Sequence, residues 1–119
     1  LPEAAALAAA NKRVQNLLKK AESALGAVNA DLLQQDEERA LYAAAQDLQP
    51  QVSKALANQD FQAALSALAG IKPQVDAFFD KVMVMADDAA VKQNRLNLLK
   101  QLADLLNAVA DIAKLGDTA

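Results

Sequence analysis

The sequence predicts an all-α fold: a single bundle of about five helices, formed by residues 1–119 as one domain. Three observations lead there. Apolar residues make up 54% of the chain, but much of that is alanine, with 3 glycines, 3 prolines and 3% aromatic residues. Alanine enters a helix without losing side-chain entropy, so this composition favours helix over strand. Apolar residues also recur at three- and four-residue intervals, the spacing of one helix face. Finally, the breaks between those runs carry Asp, Gly or Pro, residues that start and stop helices. A chain of 119 residues has one-domain length, and folding removes roughly two-thirds of its accessible surface. With so few large side chains, the helices must meet closely through Ala, Leu and Val.

Leu7, Ala10, Val14, Leu17, Leu18, Ala21 and Leu25 predict a first helix from about Pro2 to Leu25. Pro2 suits its first turn and Gly26 its stop. GAVNADLLQQDEE then reads as a loop with a short apolar hook at Leu32 and Leu33. Asp36 is the expected N-cap of a second helix, with Glu37 and Glu38 near the positive end of its dipole. That helix runs to about Leu48, where Pro50 breaks or kinks it, and Val52–Asn58 continues helically. Asp60 caps FQAALSALAG, which Gly70 ends. Pro73 opens the next helix, and Asp87 or Asp88 caps the last and longest one. Gly116–Ala119 reads as a frayed tail.

The stretch VDAFFDKVMVMADD at 75–88 is the one place where a strand competes. Val75, Phe78, Phe79 and Val82 share a face at about 100° per residue, whereas a strand would put the two phenylalanines on opposite sides. Helix is therefore expected through Val82; either it ends near Met83 or Val84 and Met85 meet a neighbour. Those two residues either pack beneath the last helix or form a surface that a partner binds.

The chain has no cysteine and no histidine. That excludes disulfides and thiolate metal sites, and removes the usual general base and the commonest metal ligand. Hydroxyls are limited to Ser23, Ser53, Ser66, Thr118 and Tyr42, none in a setting that reads as an activated nucleophile. Glu37/Glu38 and Asp87/Asp88 read as helix-start acids, with no third ligand to make a metal site. No apolar run approaches the ~20 residues of a spanning helix, and the start LPEAAALAAANKR carries neither a signal-peptide pattern nor an initiator methionine. A cytoplasmic domain excised from a longer chain is the expectation. The formal net charge of −3 argues against nucleic-acid binding through overall charge, while leaving room for a local basic face.

Such a face exists. Lys12, Arg13, Asn16, Lys19 and Lys20 fall within about one third of the first helix's circumference, with Glu22 as the nearby acid. They read either as a solvated helix face or as a row that follows a phosphate backbone. On the last helix, Leu98, Leu102, Leu105, Val109 and Ile112 form a core stripe widened by Leu99 and Leu106. Opposite it stand Asn97, Lys100, Asp104 and Asp111. Arg95 falls inside the apolar arc, where an unpaired guanidinium is costly. It is expected either to pair with Asp76 or Asp80 or to contact a ligand at the bundle end.

ANKRVQNLL at 10–18, DFQAALSALAGIKPQVDAFFDKVMVMADD at 60–88 and NRLNLLKQLADLLNAVADI at 94–112 together resemble the C-terminal anticodon-binding region of bacterial glycyl-tRNA synthetase β subunits, an all-helical domain of the DALR type. A related domain occurs in arginyl-tRNA synthetases, but the FFDKVMVM wording favours the glycyl family. The resemblance covers essentially the whole chain. It departs at VNADLLQQDEERALYAA and at the AKLGDTA end. It implies a part of a synthetase that charges glycine tRNA using ATP, in which the α subunit carries the chemistry and this domain, holding no cofactor itself, binds tRNA. The residues carried over are Asn11, Lys12 and Arg13 from ANKR and Asn94 and Arg95 from NRL, with Lys81 and Met83–Met85 from the VMVM block. Tyr42 is the chain's one tyrosine, so loop bases would be read by arginine planes and amides more than by aromatic stacking. The rival reading is a helical module that docks a partner protein through an exposed Met/Val patch.

Overall fold

The computed structural model describes the backbone of residues 2–21 and 24–118 and the side chains of residues 5–21 and 24–109. Five α-helices and one 3₁₀ turn make up the described fold: α1 (Pro2–Leu18), the turn Ala30–Leu32, α2 (Asp36–Ala57), α3 (Phe61–Ala69), α4 (Lys72–Lys81) and α5 (Ala89–Thr118). The described residues contain no strand. α5 has 30 residues, and at about 1.5 Å per residue it accounts for the 46 Å long axis of the bundle. It packs against α1, α2 and α3, while α2 carries α3 and α4 on its flank.

The core is small-residue packing around a few large groups. Phe78, Leu41, Leu68, Ile71, Leu96, Leu98, Leu99 and Leu102 are fully buried, interleaved with Ala45, Ala64 and Ala103. The predicted stripe of α5 is buried through Val109; Ile112, Asp111 and the side chains of the AKLGDTA end lie outside the described residues, as does Glu22. The helix itself passes Gly116 to Thr118, so the tail expected to fray from Gly116 is helical up to there. A glycine costs a helix about 1 kcal/mol and does not by itself end one.

α1 ends at Leu18, not at Leu25, because α5 offers the following backbone better partners. Lys20 and Ala21 close the helix with bonds to the Leu17 and Leu18 carbonyls. Residues 24–29 then run as a strap along α5. Asn97 Oδ1 accepts from the Gly26 N–H at 2.9 Å, and Asn97 Nδ2 donates to the Ala27 carbonyl at 3.1 Å. Asn94 repeats the pattern on Asn29, accepting from its N–H at 2.7 Å and donating to its carbonyl at 3.0 Å. Gln93 donates to the Ala24 carbonyl. Backbone groups that a longer helix would pair internally are thus satisfied by side-chain amides. Asn97, expected on the polar face, is consequently buried. The apolar hook forms as the 3₁₀ turn and Leu33, the latter packed on the core.

α2 starts one residue earlier than its acidic run suggested. Gln35 is the N-cap, and its N–H donates to Glu38 Oε1 at 3.1 Å; Asp36 is the first helical residue. The helix continues past Pro50 as one element, so of the expected break or kink, the break is absent. Val52 and Ala55 continue the buried face begun by Leu41, Ala45 and Leu48, while Pro50 itself is exposed. Burial on that continuous face outweighs the donor that proline removes. The C-terminus closes by a Schellman pair, Gln59 N–H to the Leu56 carbonyl and Asp60 N–H to the Ala55 carbonyl. This puts Gln59 at φ 58°, in the left-handed region, where glycine is usual. Asp60 then caps α3 by accepting from the Ala63 N–H, Gly70 ends α3, and Pro73 lies in the first turn of α4. Asp88 caps α5 by accepting from the Ala90 and Val91 N–H groups.

Candidate nucleic-acid interface

The outer face of α1 and the turn that follows α4 meet at one end of the bundle. α1 is held by its inner face. Val14 is fully buried, Leu7 nearly so, and Asn11 Nδ2 donates to Asn107 Oδ1 of α5 at 2.9 Å. Lys12, Arg13 and Asn16 are therefore turned outward and exposed. Lys19 and Lys20 are exposed too, in the turn just past the helix, where cations sit favourably against the C-terminal dipole. No described acid forms an ion pair with Lys12, Arg13, Lys19 or Lys20.

α4 ends at Lys81, with Val82 as its C-cap, slightly before the expected Met83. Val75 and Phe78 are buried on the predicted face and Phe79 is half-buried at its edge. The Arg13 guanidinium lies over the Phe79 ring, 4.3 Å from its centroid, a cation–π contact that fixes an otherwise mobile side chain. After Val82, the chain alternates. Val84 is 6% exposed and Met85 half-buried, whereas Met83 is 71% exposed, the one exposed large hydrophobic side chain among the described residues. Between this turn and α1 runs an open groove of about 380 Å³, lined by Arg13, Asn16, Leu17 and Lys20 on one side and Phe79 and Val82–Met85 on the other. The anticodon reading needed Lys12, Arg13 and Arg95 on one rim; Lys12 and Arg13 are exposed but Arg95 is buried beneath the turn. The protein-docking alternative needed Val84 and Met85 exposed without basic neighbours. Val84 is buried, and both border a groove rimmed by Arg13 and Lys20.

The turn is held from beneath. Arg95 is 5% exposed and Glu38 0%; Arg95 donates from Nη2 to Glu38 Oε1 at 2.8 Å and from Nη1 to the Met83 carbonyl at 2.6 Å. Gln35 Oε1 accepts a longer bond from Arg95, and Gln35 Nε2 donates to the Lys81 carbonyl at 3.1 Å. The buried arginine is thus paired, but with Glu38 of α2. Asp76 is bonded to Lys72 and Asp80 lies by Lys81, both at the surface. The packing of α2 across α4 and α5 brings Glu38 in from far along the chain, which periodicity within one helix cannot reveal.

Of the residues singled out by sequence, Lys12, Arg13, Asn16, Lys19, Lys20 and Lys81 are at the surface. Asn11, half-buried, is bonded to α5, and Asn94 and Arg95 are buried. The last two shape the strap and the turn instead of facing solvent. Sequence reasoning missed Gln35 and Glu38 as supports of the turn and Phe79 as the seat of Arg13. A signal for the amide ladder was present: Gln93, Asn94 and Asn97 share about a 100° arc of α5, a stripe of amides without charge. No group of metal-ligating side chains occurs among the described residues, and no described helix is long and apolar enough to cross a membrane.

Comparison with known proteins identifies the family. The profile of the DALR anticodon binding domain matches residues 7–115. Relatives named glycine–tRNA ligase beta subunit include one from Neisseria gonorrhoeae strain NCCP11945, 76% identical over 98% of this chain and 17% of its own length. Another from Neisseria gonorrhoeae is 75% identical over 98% of this chain and 93% of its own. One from Ralstonia nicotianae is 54% identical over 97% of this chain and 16% of its own. Against the Neisseria gonorrhoeae strain NCCP11945 and Ralstonia nicotianae relatives, the chain thus spans about a sixth of the length. An all-helical bundle with a basic outer helix, matched by that profile nearly end to end, belongs to the DALR anticodon binding domain family.

Proposed function

We propose that this chain is the anticodon-arm-binding domain of a cytoplasmic glycine–tRNA ligase β subunit. It supports ATP-dependent glycylation of glycine tRNA, while an α subunit supplies the chemistry and this domain itself holds no cofactor. The observation that carries the reading is the exposed row Lys12, Arg13, Asn16, Lys19 and Lys20 beside a groove whose floor is apolar. Lys12 and Arg13 on α1, with Lys19 and Lys20 in the turn past its end, can neutralise phosphates and release their counterions. The groove offers unpaired bases an apolar surface with polar edges. Lys81, exposed at the end of α4, adds a positive charge just before the turn, partly offset by Asp80 at 3.6 Å. Asn11, Asn94 and Arg95 contribute by holding α1, the strap and the turn in place. With a formal net charge of −3, affinity is modest, and the other contacts of a synthetase with the same tRNA strengthen it by raising the effective concentration.

Replacing Lys12, Arg13, Lys19 and Lys20 together by glutamine in the assembled α–β enzyme tests this. The expected result is a tRNA KM raised about ten-fold or more, as for the loss of several phosphate contacts, with tRNA-independent glycine activation by ATP unchanged. An unchanged KM for tRNA would overturn the assignment.

A further inference from the structure

We infer that the groove between α1 and the 82–85 turn is a pocket for one unpaired nucleobase, with Met83 as the side chain the base packs against. The inference rests on the anticodon-binding reading and adds the site and the residue. An exposed methionine is ordinarily of little note, but this one is built in. Its carbonyl is fixed by the buried Arg95 at 2.6 Å, the preceding Lys81 carbonyl is held by Gln35 at 3.1 Å, and the next side chain, Val84, is buried. With the backbone anchored on both sides, the turn presents Met83 outward in one register at little further entropic cost. Across the groove stands Arg13, seated on Phe79 at 4.3 Å, with Asn16 and Lys20 beside it.

These groups match what a splayed nucleotide offers. A polarisable thioether packs favourably on an aromatic ring, and a guanidinium plane stacks on a base or pairs with its edge. An amide reads donors and acceptors, and a lysine takes the phosphate. Charge complementarity favours RNA over a protein side chain as the occupant, since the rim facing Met83 carries Arg13 and Lys20. Arg95 and Gln35 act as positioning residues, because neither faces the groove.

The test uses the full chain with a glycine anticodon stem-loop, in two arms. In the first, mild peroxide oxidation is followed residue by residue. The RNA should protect Met83 several-fold, with an added methionine-containing peptide as the reference, since Met85 lines the same groove. In the second, Met83→Ala should weaken stem-loop binding roughly two- to ten-fold, the range of a sulfur–ring contact. The dependence on salt should not change, since no phosphate contact is lost, and Met83→Leu, which keeps apolar bulk but not the sulfur, should recover only part of the affinity. Because Met83 is exposed, neither variant threatens folding. Met83→Ala binding like the parent while neutralising Lys12, Lys19 and Lys20 abolishes binding would overturn the base pocket and leave the anticodon reading intact. Protection of Met83 by the partner subunit and none by RNA would assign the groove to a protein contact and overturn it too. If the parent chain failed to distinguish the stem-loop from a loop-mutated one, both readings would fall together.

Discussion

Arg95 shows how much one buried charge organises. Its Nη atoms reach Glu38, Gln35 and the Met83 carbonyl, while Glu38 Oε2 and Arg95 Nε are left without partners inside the protein. Such a pair is costly to break and cheap to replace, because removing one partner strands the other charge away from water. Arg95→Met alone is therefore expected to lower stability by about 3–5 kcal/mol in urea unfolding, and Arg95→Met with Glu38→Leu should recover most of it. If the double variant were no better than the single one, the pair would not be the seat of the cost. Asn94 is the second such residue. Asn94→Asp keeps an acceptor for the Asn29 N–H and loses the donor to its carbonyl. Placing a charge at a site 2% exposed should cost at least the ~1–3 kcal/mol of an unsatisfied buried group. Arg95 was legible as an anomaly because guanidinium and apolar arc coincide within one helix. Its partner was not, since that depends on which helix crosses α5 and at what height.

At the scale of elements, sequence and structure agree where a helix end depends on local chemistry. Asp60, Asp88 and Pro73 each do what their residue type favours, and α3 ends at Gly70 as expected, though in right-handed backbone. They part where tertiary contacts compete. α1 stops at Leu18 because the amides of α5 capture the next residues, and α2 passes Pro50 because its buried face continues to Ala55. Both differences yield measurements. Pro50→Ala, at an exposed position, restores a backbone donor and should raise stability by about 1–3 kcal/mol. A loss would mean that the proline's geometry is required by the packing of α2. Gln59→Gly should relieve the left-handed φ of 58°. The gain is a net of about 0.5 kcal/mol after glycine's extra chain entropy, read as a melting temperature higher by about 2 °C. A lower melting temperature would show that the side chain of Gln59 contributes more than its backbone strain costs.

On the scale of the whole molecule, the all-helical class, the count of helices and the outward basic face of α1 up to Asn16 were legible, because composition, periodicity and charge spacing are properties of single segments; Lys19 and Lys20 stand in the turn beyond it. The groove was not, since it joins α1 to a turn far along the chain, and its register is set by Arg95 and Gln35 from two further helices. That convergence is the basis for assigning RNA contact to this end of the bundle despite an overall acidic balance. The most direct measurement is a titration of the chain with the glycine anticodon stem-loop and a loop-mutated control across about 50–200 mM salt. The account predicts tighter binding of the native loop and a log–log salt slope of about −3, as for four cations on single-stranded phosphate at roughly 0.7 each. That slope should flatten by about 0.7 for each of Lys12, Arg13, Lys19 or Lys20 neutralised. Equal binding of the two loops at low salt, or a slope indifferent to those residues, would contradict it.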